Sequence, residues 1–153
     1  MRDFINLVEA LDPNSPKGLV QRFGGRAVEF RNLPKTVQQA ILTRAGEHLD
    51  SDWDKPPKIN PKKKFGYVEI PMEAMQQALF SNLMRNNPDA PFKNFEDYHK
   101  WYLSHGDTPE HTDTWPVELE MEYPEDSFLA DGSHRFHSYV RSGVKVVPTI
   151  YDV

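Results

Sequence analysis

The spacing of apolar residues in the first third of the chain predicts two helices and a short strand. In residues 2–11 apolar side chains recur at helical intervals and Pro13 follows, so this segment is predicted to be a short amphipathic helix. Residues 35–48 repeat the helical spacing, with Pro34 near the start and Gly46 near the end, as is typical of the two ends of a helix. Between these helices, residues 27–30 predict a strand.

From residue 65 onward the apolar pattern is denser. "FGYVEI" is rich in aromatic and β-branched residues and predicts a strand, and "PMEAMQQALFSNLMRN" after it has one apolar helical face. "NFEDYHKWYLSHG" predicts another helix, capped by Asn94. "VELEMEY" alternates apolar and acidic residues, so Val117, Leu119 and Met121 are predicted to point inward from a half-buried strand. "SFLAD" predicts a short buried strand.

The stretch "DGSHRFHSYVRSGVKVV" predicts a helix between two glycines, and "VKVVPTIYD" predicts a last strand after it. One face of this helix is apolar and is predicted to be buried: Phe136, Tyr139 and Val140. The opposite face is polar: His134, Ser138 and Arg141.

Composition narrows the class of protein. With 153 residues, the chain is long enough for one domain with a core and short for two. It has no cysteine, which excludes disulfides, thiolate metal sites and a cysteine nucleophile. No apolar run reaches the length of a membrane-spanning helix and the N terminus lacks a secretory pattern, so no membrane partner is expected and a cytoplasmic protein is predicted.

Charge is distributed unevenly along the chain. The net formal charge is −5, yet segment 55–64 holds five lysines and no acid, whereas segment 107–126 holds eight acids and no lysine or arginine. The lysine-rich segment is predicted to be a solvated linker at the end of an N-terminal helical appendage, residues 1–64, ahead of a main domain, residues 65–153. Its lysines are also candidates for contacts with a nucleic-acid backbone: Lys55, Lys58, Lys62, Lys63 and Lys64.

The residues at the start of the last predicted helix have the chemistry of an anion site. A helix N-terminus offers unpaired N–H groups and a partial positive charge. Gly132 would let the backbone approach an anion closely, Ser133 adds a hydroxyl, and Arg135 can bind phosphate through two hydrogen bonds. In the alternative interpretation, Asp131 or Ser133 only caps the helix, and the basic side chains are solvated.

The segment "ADGSHRFHSYVRSGVKVVPTIYD" resembles the core of the ParB/sulfiredoxin superfamily, in which a short strand leads to a G-x-H-R turn, a helix, a glycine and a strand with a V-P step. "VEIPMEAMQQAL" and "PVELEM" resemble, more loosely, that fold's first strand and helix and its second strand. The resemblance implies an α+β fold class, with a small mixed sheet and flanking helices in residues 65–153. Residues 86–114 would be an insertion.

The resemblance also implies a ligand, because in that superfamily this turn binds the phosphates of ATP, ADP or CTP. When the motif is matched position by position, the resemblance implies that four residues contact phosphate: Gly132, Ser133, His134 and Arg135. Sulfiredoxins have a cysteine where this chain has Ser133, so sulfinic acid reduction is not expected. The chain ends soon after the last predicted strand, so partition-site binding through further domains is not implied.

Short members of the superfamily are associated with nucleotide hydrolysis, kinase activity or nuclease activity, all of which need a carboxylate near the phosphates. Asp131, which is also the predicted Mg²⁺ ligand, is the first catalytic candidate, and Glu69 is the second. The rival hypothesis is a noncatalytic phage or plasmid factor that uses the same fold to bind a protein or a nucleic acid.

Other polar and aromatic groups favour simpler interpretations. "HGDTPEHTD" contains histidines and aspartates, which can be ligands of divalent metals, but a solvated polar loop is favoured over a metal site. His134 and His137 are three residues apart, a spacing at which two histidines can bind a metal from one helix face, although the phosphate role competes for His134. Tyr98, Trp101 and Tyr102 have the spacing of a helical core stripe rather than a stacking platform.

Overall fold

The computed structural model describes residues 12–47, 58–106 and 115–153. The predicted helix at 2–11, Lys55 and most of the polar loop that begins at His105 lie outside the described residues. In chain order the described elements are α1 (Pro16–Arg22), β1 (Arg26–Glu29), a 3₁₀ turn (Phe30–Asn32), α2 (Lys35–Glu47), β2 (Lys64–Pro71), α3 (Met72–Asn86), α4 (Phe95–Ser104), β3 (Val117–Leu119), β4 (Leu129–Asp131), α5 (Ser133–Arg141) and β5 (Val146–Tyr151).

The five described strands form one mixed sheet in the order β1-β2-β5-β3-β4. β2 pairs antiparallel with both β1 and β5, β3 pairs antiparallel with β4, and the central β3–β5 pair is parallel. With helices on both faces of this sheet, the predicted α+β fold class is confirmed.

Side chains on one face of the sheet, which we call the α3 face, form the main core. Alternation along β2 turns Val68 and Ile70 toward this face, where α1, α3 and α5 cover them. Met75 of α3 and Phe136 of α5 are fully buried there, as the apolar stripes of both helices predict. Leu19 of α1 belongs to the same cluster, so the N-terminal part of the chain contributes to the main core.

The opposite face, which we call the α2 face, has a smaller second core. Phe30, Leu33 and Val37 are buried against Phe65 and Tyr67, the alternate residues of β2. The sheet is therefore covered on both sides, and α2 with the 3₁₀ turn covers this one. The division into an appendage at 1–64 and a domain at 65–153 stays a prediction, but β1 from the first part pairs with β2 from the second.

One strand is shorter than its sequence pattern predicts. The alternation of "VELEMEY" continues to residue 123, whereas β3 ends at Leu119, where its register with β4 shifts. The Glu120 carboxylate accepts hydrogen bonds from the backbone N–H groups of Glu122 (3.0 Å) and Tyr123 (3.1 Å). These donors are satisfied in a turn rather than in a strand ladder, so Met121 is a half-buried turn residue.

Candidate ligand-binding site

The turn between β4 and α5 requires glycine for reasons of packing. Gly132 has a φ of 93°, and a Cβ atom placed on it would lie 3.1 Å from Cγ1 of Val117. The N-cap of α5 is Gly132 itself, so neither Asp131 nor Ser133 has the N-cap position that the alternative interpretation considered.

The burial of α5 agrees with its apolar stripe and corrects one polar position. Phe136 and Tyr139 are buried as predicted, and His134 is exposed. Helical periodicity predicted that Ser138 would lie on the polar face, but it is buried. α4 and β3 both pack against α5, so the buried part of the helix is wider than its apolar stripe. His137 beside Ser138 is buried as well.

A cleft of about 430 Å³ lies between α2 and the α2 face of the sheet, and we call it the α2 cleft. Apolar side chains of α2, β2 and β5 form its floor, including Ile41, Phe65 and Ile150. Its charged side chains are three cations and three carboxylates: Arg44, Lys63, Arg135, Glu118, Asp131 and Asp152. Its volume is within the usual range for a small-molecule site.

Arg44 links the carboxylates on one side of this cleft. Glu118 on β3 is directly opposite Asp131 on β4, so both side chains point to the α2 face. Arg44 Nη1 forms a hydrogen-bonded ion pair with Glu118 Oε2 and lies 3.6 Å from Asp131 Oδ2. Burial lowers the pKa of Arg44, but Glu118, Asp131 and Asp152 outweigh that effect and raise it above its ordinary value.

Arg135 reaches the same cleft from α5. Its guanidinium carbon lies 5.0 Å from the centroid of the Trp115 ring, a cation–π distance. The Tyr139 hydroxyl donates a hydrogen bond to the Trp115 carbonyl at 2.6 Å, which ties the segment before β3 to the middle of α5. Trp115 and Arg135 therefore form one wall of the α2 cleft.

The four residues predicted to contact phosphate do not converge in one cavity. Arg135 lines the α2 cleft together with Asp131. Ser133 lines a smaller cavity of about 210 Å³ beside α3 and α4, and His134 Nδ1 is hydrogen-bonded to the Tyr102 hydroxyl at 3.0 Å. A phosphate site made of all four residues stays a prediction. In the structure, Arg135 shares a cleft with the neighbouring Asp131.

Glu69, the second catalytic candidate, lies elsewhere. It is exposed on β2, and its carboxylate accepts a hydrogen bond from the Tyr67 hydroxyl at 3.1 Å. Burial and this carboxylate raise the pKa of Tyr67 to about 12. Glu69 lines a separate cleft of about 290 Å³, and β2 is three strand spacings from β4, roughly 14 Å. Glu69 and Asp131 therefore do not share a site.

Asp131 and Glu118 are two carboxylates of the kind that Mg²⁺ accepts, and Arg44 is the cation that lies beside both of them. Mg²⁺ in nucleotide sites is usually held by one or two carboxylates and by the phosphates. In the described part of the chain no three acidic or histidine side chains converge on one point. A metal at Asp131 stays a prediction.

An imidazole pair joins α4 to α5 on the other side of the sheet. His99 Nδ1 and His137 Nδ1 are 2.8 Å apart, so one ring donates and the other accepts a hydrogen bond, and this requires at least one neutral imidazole. The Tyr102 ring stacks on His137 with centroids 3.7 Å apart. His137 thus pairs with another histidine, whereas the sequence suggested only a metal role shared with His134.

Several residues of the α2 cleft were not recognised from the sequence. Arg44 and Glu118 are 74 positions apart, and Trp115 lay outside every predicted element. No local spacing connects them, because the β3–β4 pairing and the packing of α2 bring them together.

Comparison of the chain with protein-family models, with curated proteins and with solved structures finds no match. The ParB/sulfiredoxin resemblance therefore stays a prediction. In the ranges that the structure describes, every helix is too short or too polar to cross a bilayer.

Proposed function

We propose that the α2 cleft binds a nucleotide. The observation that carries this proposal is that Asp131 and Arg135, on either side of the Gly132 turn, line one cleft of suitable volume together with Lys63 and the Trp115 ring. Arg135 and Lys63 would contact the phosphates, and Trp115 and Phe65 offer flat apolar surface for the base.

The formal charges of the cleft sum to zero, so the case for an anionic ligand depends on the placement of the cations and not on net charge. Arg44 neutralises much of the charge of Glu118 and Asp131, because it lies against both carboxylates. One arginine against two carboxylates leaves about one negative charge there, and Asp152 is the third acid of the cleft, against Lys63 and Arg135. Arg44 and the two carboxylates would form a rigid polar wall beside the ligand.

The proposal assigns no step to a metal ion or to Glu69. Hydrolysis or transfer of a phosphoryl group stays a prediction, with Asp131 as the first carboxylate to test. Binding is the property that the geometry supports best, and it is measurable whether or not a reaction follows.

Calorimetric titration of ATP, ADP and CTP, each with and without Mg²⁺, tests the proposal on the wild type, Arg135→Ala and Arg141→Ala. We expect binding by the wild type and at least a tenfold weaker affinity for Arg135→Ala, because a charge-assisted phosphate contact is lost. Arg141→Ala removes an exposed arginine of the same helix that does not line the cleft, so its affinity should stay within twofold of the wild type.

Two results would contradict the proposal. The first is that no nucleotide binds the wild type at millimolar concentration. The second is equal weakening in the two arginine variants, which would indicate a general effect of charge rather than a site. Circular dichroism of each variant establishes that the fold is retained.

A further inference from the structure

Exposed cations surround the start of β2. They come from two segments, residues 26–32 and 58–67, in which Glu29 is the one acid against six basic residues. These segments therefore carry a net formal charge of +5, although the whole chain carries −5. All six are exposed, and we call them the basic surface: Arg26, Arg31, Lys58, Lys62, Lys63 and Lys64.

Hydrogen bonds hold this surface in place. The N–H of Phe30 donates to the carbonyl of Lys63 at 2.8 Å, and the N–H of Arg31 donates to the carbonyl of Pro61 at 3.1 Å. Within the turn, the side-chain oxygen of Asn60 accepts from the N–H of Lys62 at 2.9 Å. The described part of the predicted linker is therefore attached to the 3₁₀ turn, so its backbone is already ordered before any partner binds.

We infer that the basic surface binds the phosphodiester backbone of a single-stranded nucleic acid. Phosphate contacts need cations but no sequence code, and release of condensed counterions drives them. The single carboxylate of the two segments opposes this only weakly, because Glu29 Oε2 is 2.8 Å from Arg31 Nε.

The lack of exposed apolar side chains favours a nucleic acid over a protein or a membrane. The large apolar side chains that are exposed in the described ranges all lie outside the two segments: Trp101, Tyr123, Val146 and Val153. A protein interface has an apolar or aromatic centre, and an amphipathic element that binds a membrane also inserts apolar side chains into the lipid. The exposed side chains of the basic surface are charged and not large and apolar, which suits a phosphate backbone.

The directions of the lysines favour a single strand over a duplex. Lys63 Nζ lies 5.2 Å from the centroid of the Phe65 ring and so faces the α2 cleft, whereas Lys64, the next residue, points to the other side of the strand. A flexible strand can follow cations around an edge, but a short duplex is a stiff rod. Unpaired bases would also reach the rings of Phe65 and Trp115 in the cleft.

This inference extends beyond the nucleotide site, with which it shares Lys63, and it is tested through residues outside that site. Lys58, Lys62 and Lys64 do not line the α2 cleft, so they can be changed without altering its walls. The variant K58E/K62E/K64E reverses these charges. The control K93E/K100E/K145E reverses three other exposed lysines and gives the same net charge.

The measurement is fluorescence anisotropy of 5′-fluorescein dT20 titrated with each protein at several NaCl concentrations. We expect K58E/K62E/K64E to bind at least tenfold more weakly than the control. The slope of log K against log [NaCl] should become shallower by about two, since each lost contact with a single strand removes about 0.7. Circular dichroism verifies the fold of both variants.

Other outcomes would overturn the inference. Equal weakening of both variants would mean that net charge alone attracts dT20, and a lack of binding by the wild type would mean that the surface has no such partner. Tighter binding of a 20-base-pair duplex than of dT20 would refute the choice of a single strand. Equally strong binding to phosphatidylserine vesicles, lost in the same variant, would identify a membrane instead.

Discussion

Gly132 shows how one residue joins two elements of the candidate site. Its positive φ lets the chain turn from β4 into α5, and its lack of a side chain lets the turn pack on Val117. Because α5 begins immediately after it, a distortion here would shift Arg135 relative to Asp131, and both residues line the α2 cleft.

Gly132→Ala should lower the free energy of unfolding by about 3 kcal/mol, since it adds a steric conflict to an unfavourable φ. Gly143→Ala is the matched control: Gly143 has a φ of 74°, but a Cβ there would meet no atom within 4 Å. The control should lose only about 1 kcal/mol, the cost of the φ alone. Urea denaturation measures both values, and similar losses would show that contact with Val117 is unimportant.

At the scale of single residues, the sequence identified some of the residues that line the α2 cleft and missed others. Asp131 and Arg135 were recognised because a glycine, polar residues and an amphipathic helix follow one another locally. Ser133 and His134 belong to the same motif, yet their side chains contact other surroundings. Adjacent residues of a first helical turn point in different directions, so proximity in sequence did not place them together.

At the scale of elements, α4 is attached to the domain through aromatic and imidazole rings. No residue of α4 is fully buried, and its Phe95 ring stacks on both His99 and His137. Burial lowers the pKa of His137 to about 3, and His99 and His134 add to the effect. Burial also lowers the pKa of His99, although Glu96 opposes it. The pair is therefore stable in its neutral form.

Acid should weaken the fold through this pair. An unfolded histidine takes up a proton near pH 6.5, whereas His137 in the fold stays neutral down to about pH 3. The stabilisation is therefore complete above pH 6.5 and is lost as the pH falls toward 3, by up to about 1.4 kcal/mol per pH unit for one proton. Urea denaturation between pH 7 and pH 4.5 measures this slope.

His137→Gln should flatten the pH dependence relative to the wild type, because glutamine does not titrate and can still hydrogen-bond to His99. His105→Gln is the control, since His105 is an exposed histidine outside the pair and its replacement should leave the slope unchanged. A wild-type slope that both variants preserve would assign the acid sensitivity to other groups.

Most helices and strands were predicted from sequence, and the exceptions have local causes. α2, α3, α4 and β2 match their predicted segments because strong periodicity and end signals agree in each. α1 was missed since its residues suggest turns, yet Ser15 Oγ accepts from the N–H of Gly18 at 2.9 Å and Pro16 starts the helix. β3 ends early because Glu120 satisfies the following N–H groups.

At the scale of the whole molecule, both parts of the chain contribute to the same sheet and to the cores on its two faces. Leu19 is 0% exposed in the main core, and Val37 is buried in the second core. Along the sheet, the basic surface surrounds β1 and the start of β2, whereas the carboxylates of Glu118 and Asp131 lie at the β3–β4 end. Lys63 of the basic surface lines the α2 cleft together with these carboxylates.

Leu19→Ala should lower the free energy of unfolding by about 3 kcal/mol, because it opens a cavity in a core built largely from residues after 65. The unfolding curve should keep a single transition. Val153→Ala is the control, since Val153 is 69% exposed and its truncation should change stability by less than about 0.5 kcal/mol. Two transitions, with only one of them moved by Leu19→Ala, would instead support an independent appendage at 1–64.

The sequence by itself determined the α+β class, most of the helices and strands, the uneven charge and the glycine turn before α5. These properties depend on residues within one or two turns of each other, where period and end signals act. Only the tertiary structure decided that Arg44 meets Glu118 and Asp131, that His137 pairs with His99, and that residues 58–64 attach to the 3₁₀ turn. Such contacts depend on strand order and on which helix covers each face of the sheet, and local patterns do not encode either.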